Sequence, residues 1–112
     1  MVAVRDFSVN NTNTFTHDHH EYDLDKIRVL TRSEKAFLLP ISNLLWVLNH
    51  DKPDENRVLK AKHRWPLLVV KWNGKWTVVD GLHRLEKYRR KGIKVIPVKE
   101  VSQEMLKKSL VK

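Results

Sequence analysis

Hydrophobic and polar positions divide the chain into short elements of two different periods. In "EYDLDKIRVLTRS", Leu24, Ile27 and Leu30 recur at helical spacing. Asp23 and Asp25 near the start and Arg32 near the end suit the helix dipole, which favours a short helix over the rival strand. "AFLLPI" is a brief apolar run ended by Pro40 and reads as an edge strand. "SNLLWVLNH" reads as a short helix with Ser42 as its N-cap and Leu44, Leu45, Trp46 and Leu48 mostly buried. The polar loop "DKPDEN" leads into a further short helix near Arg57 that contains Val58, Leu59 and Ala61.

The clearest local signal is "PLLVVKWNGKWTVVD", two strand-like runs around Asn73-Gly74. A two-residue type I′ turn needs positive φ at both positions, which Asn-Gly tolerates. The implied register pairs Trp72 with Lys75 and Val70 with Thr77. A helix then runs to about Lys91, with Leu82, Leu85 and Tyr88 as its inward stripe and Gly92 stopping it at C′. "IKVIPVKEV" predicts another strand, where Pro97 suggests an edge or a bulge. "SQEMLKKSLVK" predicts a closing helix with Ser102 as N-cap, Glu104 in the first turn and lysines in the last. Residues 1–20 are polar and aperiodic and read as a flexible arm, which leaves 21–112 as one domain. No internal repeat is visible.

Composition narrows the function classes. The 112 residues are 41% apolar and 31% charged, the range of a soluble globular domain. No apolar run approaches the length of a membrane span, and residues 1–15 lack the apolar core of a signal peptide. Cysteine is absent, which excludes disulfides, thiolate catalysis and cysteine zinc sites and suits a cytoplasmic location. Charge is unevenly spread. Residues 1–56 balance at −3 and residues 57–112 at +12, for a net charge of +9. Such a basic half attracts polyanions: nucleic acid, nucleotides or acidic proteins. The cluster His17, Asp18, His19 and His20 has metal-ligand chemistry, but histidines in a polar tail more often bind nothing specific.

The candidate chemistry lies in "VVDGLHRLEKYRRKG", residues 78–92. A strand entering Asp80-Gly81 and then a helix aims unsatisfied N–H groups and the positive end of the helix dipole at one point. Gly81 admits a close phosphate oxygen, and His83 and Arg84 add donors. Lys87, Arg89, Arg90 and Lys91 follow, and Lys75 precedes, as further candidates for nucleic-acid contact. The plainer alternative makes Asp80 an N-cap and turns His83 and Arg84 to solvent.

Residues 66–101, "PLLVVKWNGKWTVVDGLHRLEKYRRKGIKVIPVKEV", resemble the core of the ParB/sulfiredoxin-like superfamily. The shared order is a Pro-led strand, a hairpin, a Gly-x-His-Arg turn opening a helix, a Gly ending it and a Pro-containing strand. The resemblance implies an α+β fold, a single small domain whose mixed sheet carries a central hairpin against short helices. It implies phosphate binding by Gly81, Leu82, His83 and Arg84, with Asp80 holding a metal or assisting proton transfer. By the pattern of kinase-like members, Glu55 becomes a second carboxylate and Arg57 a phosphate contact, against the alternative of a solvated loop. The departures are informative. Leu82 stands where sulfiredoxins carry cysteine, so no thiolate exists for sulfiredoxin chemistry. Leu-His replaces the Glu-Arg of chromosome-partitioning ParB proteins, and a CTP-switched clamp is not expected.

Three functions remain open on this reading. The leading one is a phosphodiesterase or nuclease using a divalent metal, magnesium or manganese, on Asp80, with Glu55 beside it and His83 as acid or base. The second is a phosphotransferase using ATP or another nucleoside triphosphate. The third is a non-catalytic binder of nucleic acid or of a protein partner, to which Trp65 and Trp72 would lend exposed rings while Trp46 and Trp76 stay in the core.

Overall fold

The computed structural model describes residues 14–62 and 65–111. In chain order its elements are β1 (Thr14–His17), β2 (His20–Asp23), α1 (Leu24–Leu30), β3 (Phe37–Pro40), two 3-10 turns (Ile41–Asn43 and Leu45–Asn49), α2 (Glu55–Lys60), β4 (Leu67–Trp72), β5 (Lys75–Asp80), α3 (Leu82–Arg90), β6 (Val95–Glu100), α4 (Gln103–Lys108) and β7 (Leu110–Val111). They fall into two compact units: residues up to Ser33 together with those from Ser102 onward, and Glu34–Val101.

The first unit joins both ends of the described chain. β1 and β2 form an antiparallel hairpin, and β2 also pairs with β7. Asp18 (φ 53°) and His19 (φ 66°) make its turn, and Phe15 opposes Tyr22 while His17 opposes His20. Residues 14–20, read from sequence as part of a loose arm, are thus ordered by cross-strand aromatic pairs and a positive-φ turn. Residues 1–13 of that arm lie outside the described residues. α1 takes Asp23 as its cap, whose carboxylate accepts from the Lys26 N–H (3.3 Å). α4 starts as its sequence predicts, with the Ser102 hydroxyl accepting from the Met105 N–H (3.1 Å). Leu24, Ile27 and Leu106 are buried. Among the described residues, no three His, Asp or Glu side chains gather as a metal-binding group, the histidines of this hairpin included.

The second unit is a four-stranded mixed sheet of order β3-β6-β4-β5, antiparallel except for the parallel pair β4 and β6. This is the small α+β architecture with a hairpin and short helices that the sequence predicts. The hairpin register is as expected, Trp72 opposite Lys75 and Val70 opposite Thr77, with Asn73 (φ 51°) and Gly74 (φ 75°) both left-handed. The register then shifts between Leu68 and Val69, so that Asp80 opposes Leu68 and Val79 is the extra residue of a bulge.

Pro97 lies inside the sheet, not at its edge, because β6 runs between β3 and β4. Its missing N–H costs no ladder bond. The Ile41 N–H donates to the Lys94 carbonyl, which fixes the phase of the β3–β6 ladder and leaves Leu38 opposite Pro97 and Pro40 opposite Val95 as non-hydrogen-bonded pairs. The parallel pairing with β4 begins only at Val98. Residues 41–49 also differ from expectation. They form two 3-10 turns with no side-chain cap, so Ser42 caps nothing. The run Leu44-Leu45-Trp46-Val47-Leu48 is apolar on every side, and the tighter turns let Leu44 and Val47 bury while Leu45, Trp46 and Leu48 pack at the margin of the core.

Leu67, Val69, Val78, Leu85, Tyr88, Ile96 and Val98 form the centre of this unit's core. α3 ends in a Schellman motif: the Gly92 N–H donates to the Arg89 carbonyl (3.0 Å) and the Ile93 N–H to the Tyr88 carbonyl (3.1 Å). β5 is an outer strand, and the Trp46 indole N–H covers part of its margin by donating to the Trp76 carbonyl (2.8 Å). Trp46→Phe removes that donor while keeping a ring. It should cost about 1 kcal/mol in urea unfolding, and an unchanged midpoint would show the bond to be idle.

Candidate phosphate-binding turn

β5 delivers Asp80 to the sheet margin and α3 leaves it one residue later. Gly81, not Asp80, is the N-cap of α3, and no side chain caps the helix. Its carbonyl accepts the first helical bond, from the Leu85 N–H (2.8 Å). A glycine cap offers the first-turn N–H groups no side-chain acceptor of its own, an arrangement open to an anion. Only glycine fits here. Its φ is +121°, and a Cβ would stand 2.7 Å from Leu67 Cγ and 3.3 Å from Arg84 Nη2.

Asp80 turns to Arg84, with Oδ2 3.6 Å from Nη2. Arg84 Nη1 donates to the carbonyls of Trp65 (2.7 Å) and Pro66 (3.2 Å). Both side chains are largely covered. Arg84, expected as a phosphate grip, also ties the entry of β4 to the start of α3 and so sets the shape of the turn.

α2 lies against α3 within this unit. Asp54 caps it, accepting from the Arg57 N–H (3.0 Å). The pKa of His83 is lowered, first by burial, then by the charge of Arg57, against an opposing pull from Asp54. Burial and the charge of Arg57 thus both favour the neutral imidazole of His83. Arg57→Ala should raise the His83 titration midpoint. Proton NMR of the imidazole checks this, and an unmoved midpoint would place Arg57 elsewhere.

Glu55 has another partner. Its two carboxylate oxygens accept from Arg90 Nη1 (2.9 Å) and Nη2 (2.7 Å). Arg90 Nε meanwhile reaches Glu86 (2.7 Å), which also takes both Arg89 nitrogens (2.6 and 2.7 Å). Lys87 Nζ donates to the carbonyls of Leu59 (3.1 Å) and Ala61 (2.6 Å) at the end of α2. Much of the basic run after the turn is therefore engaged in joining α2 to α3. Lys91 is the exposed C-cap of α3, and Lys75 sits on the hairpin with its Nζ 4.0 Å from the centre of the Trp46 ring. Glu86 is buried, and its spacing to Arg89 and Arg90 is the helical i,i+3 and i,i+4 pattern, a signal already present in the sequence.

The metal expectation fits poorly. Asp80 faces a guanidinium, Glu55 is held by Arg90, and no third ligand joins either among the described residues.

No family model matches the chain, and no curated protein does. Solved structures that resemble it include two from different organisms. Sulfiredoxin from Arabidopsis thaliana aligns at a TM-score of 0.48 and 20% identity, over 65% of this chain and 93% of its own. A C-terminally truncated SbnI from Staphylococcus aureus aligns at a TM-score of 0.49 and 25% identity, over 62% of this chain. The match spans 32% of the SbnI chain. No helix among the described residues is long and apolar enough to cross a membrane.

Proposed function

We propose that the Gly81 turn binds the phosphate of a nucleotide or of a nucleic acid. The observation that carries this is the helix start itself. α3 begins at a glycine cap that tolerates no Cβ, and His83 in its first turn is half-buried and feels the charge of Arg57. The anion would lie on the N–H groups of Leu82, His83 and Arg84, with the Arg57 and His83 side chains as further donors. A bound phosphate favours protonated His83, so affinity should rise as the pH falls through the imidazole range.

Hydrolysis of a phosphodiester is the chemistry this turn serves best. A neutral imidazole would take a proton from the attacking water as its oxygen bonds to phosphorus and the P–O bond to the leaving alcohol breaks, and the imidazolium would return that proton to the leaving oxygen. His83 is the proposed acceptor, Arg57 the charge that keeps it neutral, and Asp80 the carboxylate that positions Arg84. No step is assigned to a metal.

Thermal unfolding with ATP, CTP, GTP, single- and double-stranded DNA and RNA, each with and without Mg²⁺ or Mn²⁺, tests both parts. A ligand at 100 times its Kd should stabilise by about 2.7 kcal/mol. The shift should shrink at least about tenfold in apparent affinity in Arg57→Ala, roughly 1.4 kcal/mol. No shift with any phosphate ligand would end the proposal. His83→Gln should stop turnover and keep binding, so cleavage at the wild-type rate would leave binding alone. Stabilisation by ATP but not by DNA would point to phosphotransfer.

A further inference from the structure

The tip of the β4–β5 hairpin carries a second arrangement, independent of the Gly81 turn. Its sequence, "KWNGKW", alternates lysine and tryptophan, and no acidic residue occurs between Pro66 and Val79. Lys75 Nζ lies 4.0 Å from the centre of the Trp46 ring, and Lys71 Nζ 5.3 Å from that of Trp76. The rings are fixed. The Trp46 indole N–H is bonded to the Trp76 carbonyl, and Phe37 lies 6.0 Å from Trp76 at a tilt of 52°. His50 meets Trp46 edge-on at 5.5 Å. Both tryptophans are half-buried and both lysines exposed. Two anchored, half-buried indoles thus each carry a lysine ammonium over the ring.

We propose that this tip is a stacking surface for single-stranded nucleic acid. A base takes the ring face that the ammonium occupies in the unliganded chain. The displaced lysine swings to the phosphate of the same nucleotide, so the cation–π contact is exchanged for stacking plus a charged contact. Charge complementarity selects this occupant. Unpaired bases offer the planar faces and a polyanion offers the phosphates, whereas a duplex hides its bases and an acidic peptide has none to stack.

The test is an intrinsic tryptophan fluorescence titration with oligothymidylate, a duplex of equal length, and an abasic oligonucleotide of equal length. Oligothymidylate should quench and bind at least tenfold more tightly than the abasic strand. Lys71→Ala/Lys75→Ala should lose at least tenfold in affinity at an unchanged thermal midpoint. The salt slope should fall by about 1.4, two single-strand contacts at about 0.7 each. Equal binding of the abasic strand or the duplex would overturn the proposal, as would unaltered affinity in the double variant. His83→Ala and Arg57→Ala separate the two sites. Loss of oligothymidylate binding in these, but not in the lysine variant, would assign the ligand to the Gly81 turn and overturn the hairpin site.

Discussion

Gly81→Ala is expected to lose about 2–4 kcal/mol of stability, a drop in thermal midpoint on the order of 10–20 °C. Two costs combine. An L-residue at φ +121° is strained, and the added methyl would sit 2.7 Å from Leu67 Cγ. Leu67 is fully buried in the core of its unit, so it has no space into which to retreat. Arg84 would have to move as well, since its Nη2 lies 3.3 Å from the new carbon, and that loosens its hold on the Trp65 and Pro66 carbonyls. Gly92→Ala is the internal control. Gly92 also has positive φ (+71°), but nothing stands within 4 Å of its added Cβ. It should cost only about 1 kcal/mol, the backbone term alone. Equal effects of the two substitutions in urea unfolding would show that Leu67 yields, and that Gly81 is not required by packing.

Much of this turn was legible in the sequence, because its determinants are local. Asn73-Gly74 specified the hairpin and its register. The Leu82, Leu85, Tyr88 stripe specified the inward face of α3, and Gly92 its end. What local pattern did not carry falls into two kinds. Pairings between distant segments are one, such as β2 with β7. The other is the choice among partners for a charged side chain. Asp80 was an equally good cap or site carboxylate by position, and only the bulge at Val79 and the reach of Arg84 decide that it does not cap. Arg90 and Lys87 looked like phosphate donors because sequence shows charge without showing what faces it. In the fold they meet Glu55, Glu86 and the last carbonyls of α2. The inverse holds for Trp46 and Trp76. Their expected place in the core is only half true, and the exposed half is where the lysines lie.

Glu86→Gln is expected to remove about 1–2 kcal/mol at neutral pH and to flatten the acid side of the stability profile. Glu86 is nearly buried and its carboxylate accepts from Arg89 and Arg90, which lowers its pKa from 4.5 to about 2, the Arg89 hydrogen bonds being the largest cause. The folded form thus holds its proton less tightly than the unfolded chain. Its stabilising contribution is complete above pH 4.5 and is lost as the pH falls to about 2. The guanidinium groups are 39–50% exposed, and solvent screening keeps the effect below what the full shift would give. The difference between wild type and variant in urea unfolding should therefore be largest at neutral pH and fade towards pH 2. A difference that does not change with pH would mean that the glutamine disturbs packing, and that the ion pairs contribute nothing. The consequence reaches the candidate site. Arg90 bridges Glu86 on α3 to Glu55 on α2, and the same α2 carries Arg57, whose charge lowers the His83 pKa. Releasing Arg90 from Glu86 should let α2 relax away from α3. The His83 midpoint would then rise in Glu86→Gln, as in Arg57→Ala.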